Sequence, residues 1–383
     1  MERSNVFPYR GRKGKRAGRR ALPLLLVLLL CRFAVPVSAA EGPALSARAA
    51  ALYEPESGRF LILKDGDRPL PMASTTKVMT ALVVLDLLPT DAEVRADADT
   101  VNAEGSSLYL REGDVLSCED LLYALLLRSA NDAAETLAKA AGGSVPGFVA
   151  AMNRKADALG LSSTHFENPH GLPAEGHHTT ARDLARLTAA ACENGDFLRL
   201  SGTKERTLRL DGRSQVLKNH NRLLFTDPSV IAGKTGYTRA SGRCLVSAAE
   251  REGVRLIAVT LDAPDDWRDH RALYDYGFSL LRRETLPLSG EEYRVPVTGG
   301  TEPFLRCRAA EDWSAVLEEG ETLSAEVLLP PFLYAPVREG EIVGAVAVKK
   351  NGAIAAVIPL EATGDVPERE KRPSLLRRFF RSF

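Results

Sequence analysis

The chain has 383 residues, enough for two domains that each bury a core of their own. An apolar content of 45% and a charged content of 26% are those of an ordinary globular protein, excluding wholesale disorder and a multi-pass membrane protein. The formal net charge is zero, but the charge is unevenly spread. Residues 1–20 hold eight Lys or Arg and one acid, Glu2. The apolar run Ala21–Leu30 follows, and then the small residues Val37-Ser38-Ala39-Ala40.

Basic, apolar, then small is the order of a secretory leader, so residues 1–39 read as a signal peptide cut after Ala39. The run is too short for the roughly 20 residues of a spanning helix. Cys31 follows leucines rather than small residues, which argues against a lipoprotein cysteine. Residues 1–39 contain nine basic residues and one acid; the remainder then holds 41 basic and 49 acidic residues, a net charge near −8. That balance argues against a nucleic-acid partner. Cys118, Cys192, Cys244 and Cys307 remain, widely spaced and without a Cys-x-x-Cys pair, and read as buried free thiols.

Residues 48–64 read as a hairpin around the turn Pro55-Glu56-Ser57-Gly58. A helix is predicted from Ser74 to about Leu88, stopped by Pro89. Ser117 is a candidate N-cap, with Asp120 three residues on, for a helix that breaks near Ser129. Further helices are predicted over Asp132–Ala141, ending at Gly142-Gly143, and after the cap Thr180. Leu245–Ala248 and Val254–Leu261 read as strands around Arg251-Glu252-Gly253, and Arg268–Leu281 as a closing helix. Strand, helices, strands, helix is an α+β pattern whose sheet draws on both ends of the segment.

After about Arg283, short β-type runs (Tyr293–Val297, Ala325–Leu329, Ile342–Val348, Ile354–Ile358) alternate with Gly and Pro turns, as in a small all-β domain. The expected layout is a leader at 1–39, an α+β domain at 40–285, a β-rich domain at 286–366 and a tail at 367–383. On a helix, Leu375, Leu376, Phe379, Phe380 and Phe383 share one face, and Arg377, Arg378 and Arg381 the other. This suits residues 374–383 to the surface of an anionic membrane.

Chemistry concentrates in three runs. In Ser74-Thr75-Thr76-Lys77 the spacing puts Lys77 one helical turn from Ser74. A serine hydroxyl needs a base beside it, and a lysine whose pKa is lowered by burial or by nearby cations can serve. Backbone N–H groups at the helix start would help to stabilise an oxyanion. Alone, the run reads equally as an N-cap serine with a solvated lysine. Ser129-Ala130-Asn131 lies where one helix breaks before the next, and Lys234-Thr235-Gly236 sits between the turn Asp227-Pro228 and the strands. The ordered set is far more specific than any member. The six histidines form no His-Glu-x-x-His or similar pattern, so neither a metal nor a cofactor is expected.

With these three runs the sequence resembles the penicillin-binding, serine-active family, whose signature is Ser-x-x-Lys, Ser-x-Asn and Lys-Thr-Gly. It is similar in particular to low-molecular-mass D-alanyl-D-alanine carboxypeptidases. Met72-Ala73, Asn168-Pro169-His170-Gly171-Leu172, Thr180-Ala181-Arg182-Asp183, Asn219-His220-Asn221 and Tyr237-Thr238 carry that closer likeness, which covers roughly residues 45–365.

The resemblance implies a β-lactamase/transpeptidase-like domain, an antiparallel sheet flanked by helices, followed by the small β domain. It implies a peptidoglycan stem peptide ending in D-Ala-D-Ala as substrate and β-lactams as covalent inhibitors. Ser74 is then the nucleophile and Lys77 its base, with Ser129 relaying a proton and Asn131 holding Lys77 and the substrate amide. Lys234 and Thr235 meet the terminal carboxylate, Gly236 lets the substrate approach, and the N–H groups of Ser74 and Tyr237 form the oxyanion hole. The expected setting is the extracytoplasmic face of a bacterial membrane. A peptidoglycan endopeptidase, a class A β-lactamase and a non-hydrolysing penicillin-binding sensor are the alternatives. The β-lactamase is disfavoured because Gly171, not Asn, stands four residues after Glu167.

Overall fold

The computed structural model describes residues 42–210 and 213–370. The proposed leader at 1–39, with Cys31, and the amphipathic stretch 374–383 lie outside the described residues.

Strands β1 (Ala49–Glu54) and β2 (Arg59–Lys64) form the expected hairpin. Two apolar runs and the turn at Gly58, in the left-handed region at φ 71°, account for it. One 3-10 turn, Ala73–Thr76, leads into helix α1 (Lys77–Leu87), whose residues Lys77–Val84 are all buried. A helix apolar on every side belongs in the middle of a domain. It stops at Leu88, extended at ψ 137° because Pro89 follows.

A small pair, β3 (Glu93–Arg95) and β4 (Val115–Ser117), precedes α2 (Cys118–Leu127). Ser117 Oγ accepts from the Asp120 amide at 3.1 Å, the expected N-cap, of the kind worth about 1 kcal/mol. Helix α3 (Asn131–Gly142) ends on Gly143 at φ 72°. Helix α4 (Val145–Ala158) follows, then α5 (Ala181–Glu193), where Thr180 Oγ1 accepts from the Asp183 amide at 3.1 Å, and α6 (Gly195–Gly202). Next come the hairpin β5 (Glu205–Leu210) and β6 (Arg213–Lys218) and the short helix α7 (Leu223–Thr226).

Strands β7 (Val230–Thr238), β8 (Gly242–Arg251) and β9 (Val254–Leu261) complete a five-stranded antiparallel sheet in the order β2-β1-β9-β8-β7. The sheet thus draws on both ends of the segment, and β7 is its edge. On one side Ala49, Ala51, Val246, Ile257 and Val259 pack with the helices; on the other Leu52, Leu245, Leu256 and Ala258 pack with Leu273 and Tyr274 of α8 (Asp266–Leu280).

Strand β10 (Leu281–Leu286) continues straight from α8 and pairs with β13 (Trp313–Glu318). A six-stranded sheet, β14-β16-β17-β12-β11-β15, carries its own core around Val295, Leu305, Val346 and Leu360. Its strands are β11 (Glu292–Thr298), β12 (Phe304–Ala309), β14 (Leu323–Leu328), β15 (Leu333–Tyr334), β16 (Ile342–Lys350) and β17 (Ala353–Ala362). Arg283 meets Glu56 at 2.6 Å, and Arg59 meets Glu318 and Glu321, so the first hairpin touches this β region. Glu368 forms an isolated bridge with Gly300, just past β11, tying the first residues of the tail segment to this β region.

The four cysteines within the described residues are buried free thiols.

Candidate active site

Ser74 lies in the 3-10 turn at the head of α1. From Met72 to Val84 it is the one residue that is not buried. The turn is tight: Ala73 has φ 46°, and its carbonyl accepts from Thr76 Oγ1 at 2.8 Å. His177 braces the turn from behind, its Nε2 2.8 Å from Thr76 Oγ1 while Nδ1 accepts from the Glu167 amide at 3.0 Å. Burial holds that imidazole near a pKa of about 4, so it is neutral.

Lys77 is fully buried, with Nζ 3.1 Å from Ser74 Oγ, 2.7 Å from Asn131 Oδ1 and 2.7 Å from the His170 carbonyl. Burial, then the nearby charge of Lys234, push its pKa well below the usual lysine value, against an opposing pull from Asp132. A neutral amine there has a lone pair to take the Ser74 proton.

Asn131 is fixed at both ends. Oδ1 accepts from Lys77, Nδ2 donates to the Glu104 carbonyl, and its backbone amide donates to the Ser106 carbonyl at 2.7 Å. Ser129 sits at the break between α2 and α3 with φ 61°, and its Oγ is buried without a hydrogen-bond partner among the described residues. A left-handed non-glycine residue costs roughly 1–2 kcal/mol, and such strain gathers at sites where a side chain must be aimed.

Lys234 is also buried, and its Nζ donates to the Thr235 carbonyl at 2.7 Å. Burial brings its pKa down to about 7. The absent Cβ of Gly236 lets β7 approach the nucleophile: a methyl there would sit 2.9 Å from the Ser74 amide nitrogen. That places the backbone after Gly236 beside the Ser74 amide. Thr235, Gly236 and the exposed Tyr237 line a cleft of about 400 Å³ together with Ser74 and Ser129. The structure therefore brings together the seven residues singled out in the three runs and, beside them, Tyr237.

Reading the sequence missed other members of this cleft. Arg243 on β8 pairs across from Tyr237, meets Asp266 at 2.8 Å and stacks over Trp267 at 5.5 Å. All three line the cleft, as do Ser106 and Arg222; so does His220, which the sequence singles out within Asn219-His220-Asn221. His220 is neutral near neutrality, its pKa pushed down to about 4 by burial and then by Lys234 and Arg128. The Asn168–Leu172 run, noticed only for its resemblance, supplies the His170 carbonyl to Lys77. Asn168 Oδ1 ties that loop by accepting from the Gly171 amide at 2.7 Å, and His170 Nε2 reaches Glu135 at 3.0 Å.

Among known proteins, the family model described as D-alanyl-D-alanine carboxypeptidase matches residues 36–265, and that of the penicillin-binding protein 5 C-terminal domain matches residues 286–368. The chain is 31% identical to D-alanyl-D-alanine carboxypeptidase DacF of Bacillus subtilis, over 84% of this chain and 86% of that protein. A D-alanyl-D-alanine endopeptidase of Escherichia coli is 32% identical over 63% of this chain and 81% of its own length. The crystal structure of penicillin binding protein 5 from Haemophilus influenzae superposes with a TM-score of 0.63 at 27% identity, covering 85% of this chain and 99% of that one. With its helix-flanked antiparallel sheet, trailing β domain and these matches, the chain belongs to the D-alanyl-D-alanine carboxypeptidase family of low-molecular-mass penicillin-binding proteins.

Proposed function

We infer that the chain is a serine-type D-Ala-D-Ala carboxypeptidase that trims the terminal D-alanine from peptidoglycan pentapeptides and is acylated by penicillins. The observation that carries the chemistry is Lys77, buried, depressed in pKa and in contact with Ser74 Oγ.

In the proposed mechanism Ser74 Oγ attacks the carbonyl carbon of the penultimate D-alanine while Lys77 Nζ takes its proton. The oxyanion points at the N–H groups of Ser74 and Tyr237. The C–N bond then breaks, Ser129 passes a proton to the departing amine of D-alanine, and water hydrolyses the ester. Thr235 and the cation of Lys234 favour a substrate with a free carboxylate. Release of D-alanine from a purified pentapeptide is the expected result. Its absence from well-folded protein would sink the reading.

A second reading, cleavage of D-alanyl cross-bridges, is favoured by the endopeptidase among the relatives. Mass analysis of cross-linked dimers beside pentapeptide monomers separates the two, and faster loss of monomer pentapeptide is expected. Fast turnover of benzylpenicillin, in place of a long-lived adduct, would point to a β-lactamase.

The proposed setting is the outer face of the cytoplasmic membrane, reached through the leader at 1–39 and held by the apolar and arginine faces of 374–383. Removing residues 369–383 is expected to leave soluble activity and abolish co-sedimentation with membranes. Truncated protein that still pellets with membranes would refute the anchor.

A further inference from the structure

We propose that a second pocket, between Tyr109 and the β5–β6 hairpin, binds the N-acetylated amino sugars to which the stem peptide is attached. This rests on the wall-peptide reading above and deepens it. The pocket holds about 320 Å³ and is lined by Leu108, Tyr109, Leu208, Arg213, Ser214 and Gln215.

The first support is strain. Tyr109 has φ 62° and is 72% exposed. For a bulky residue this backbone state is an outlier. Packing gives no reason for it, since the ring lies in solvent. Its neighbours are pinned: Leu108 and Leu110 are buried, and their amides donate to the Asp132 carboxylate at 2.9 and 3.0 Å. Ser107 Oγ donates to the same carboxylate at 2.6 Å and accepts from the Tyr109 amide at 2.9 Å. The loop is thus built to present the ring. Ser129, with the same left-handed backbone, belongs to a catalytic run and Ala73 directly precedes another, while Asp65, Glu252, Asp262 and Asn351 adopt it elsewhere in the chain.

The second support is a donor unused among the described residues: there, Arg213 Nε is buried with no hydrogen-bond partner, while its Nη2 is held by Asp114 at 3.3 Å. A buried donor left unpaired is destabilising, and a hydrogen bond to a ligand oxygen relieves that cost.

The lining also fits a sugar better than a peptide side chain. A pyranose offers a C–H face to a tyrosine ring and an edge of hydroxyl and acetamide groups to Arg213, Ser214 and Gln215. No carboxylate is among the described lining residues, and the cation of Arg213 is the charge on that wall.

The pocket also adjoins the catalytic cleft. Ser106 lines the cleft and Leu108 the pocket, with roughly 7 Å of chain between them at most. The Asn131 amide holds the Ser106 carbonyl, and Asp132 holds Leu108. One loop, laced to the Ser-x-Asn run, forms a wall of both. A stem of four residues reaches up to about 14 Å, enough to put a sugar in one and the scissile bond in the other.

The test compares disaccharide-pentapeptide with the free pentapeptide. The unaltered chain is expected to favour the sugar-bearing substrate by about tenfold in kcat/KM, the worth of one good contact near 1.4 kcal/mol. In Tyr109→Ala and in Gln215→Ala the ratio is expected to fall to about one. D-alanine release from both substrates at equal rates by the unaltered chain would overturn the subsite and leave the activity standing. No release from either would overturn the activity. The subsite is then read without turnover, from the fluorescence of Tyr109→Trp in a Ser74→Ala background titrated with N-acetylglucosaminyl-N-acetylmuramic acid. A saturable shift supports the pocket, and none at millimolar sugar refutes it.

Discussion

Ser74→Ala is expected to abolish the covalent penicillin adduct and to lower D-alanine release by a factor on the order of 10⁵–10⁶, as removal of a nucleophile does in other serine hydrolases. The fold should be unharmed. Ser74 is not buried, and the hydrogen bond its side chain makes is the one from Lys77. Lys77 keeps Asn131 and the His170 carbonyl when that bond is lost. Intact-mass spectrometry after penicillin treatment reads the adduct, and thermal denaturation reads the fold. An adduct that persists on another residue would overturn the assignment of Ser74. Lys77→Ala makes a poorer test, because emptying a fully buried site perturbs folding and chemistry together.

Gly171→Ala should produce the largest effect of any single methyl group. At φ 90° this residue occupies backbone space that a side chain resists, and an added Cβ would stand 1.9 Å from the Ala73 carbonyl oxygen. Neither atom has a flexible end with which to yield. The neighbouring His170 carbonyl contacts Lys77, and Ala73 precedes Ser74, so relief of the clash displaces the nucleophile or its base. A destabilisation of about 3–5 kcal/mol is expected, lowering Tm by roughly 10 °C for a domain of this size. Penicillin acylation should slow by about 10²-fold, the usual consequence of a 1 Å misplacement. A variant with unchanged Tm and acylation rate would show that the Asn168–Leu172 loop does not position the site.

Local signals made much of this legible. The Ser74–Lys77 spacing, the helix break at Ser129 and the edge-strand position of Lys234 each follow from short-range rules of period, capping and turns. Recognition of the family came from the order of those runs together with the flanking ones. Other parts needed the third dimension. Arg243 is one polar residue at the start of a largely buried strand, and nothing local says that it meets Asp266 and Trp267 on a helix more than 20 residues later.

Helix α4 escaped because Pro146 and Gly147 resemble a break, whereas Pro in the first turn is tolerated and Ser144 caps it through the Gly147 amide at 3.1 Å. Hairpin β5–β6 escaped because its residues are mostly polar and partly exposed, leaving weak alternation. The role of Asp132 was equally hidden, since a carboxylate that gathers distant backbone amides looks in sequence like any helix N-terminal acid.

Strand β1 lies inside the sheet, yet the partner that closes it, β9, comes from the far end of the catalytic segment. The Ala47 amide is held by the Asp269 carboxylate at 2.9 Å, 222 positions away. At synthesis rates of 5–20 residues per second, the first hairpin waits roughly 10–40 s for those residues to exist. Contacts of such long range also make folding slow. The chain is therefore unable to complete this sheet early, and until β9 has been made β1 has only its hairpin partner β2 to pair with.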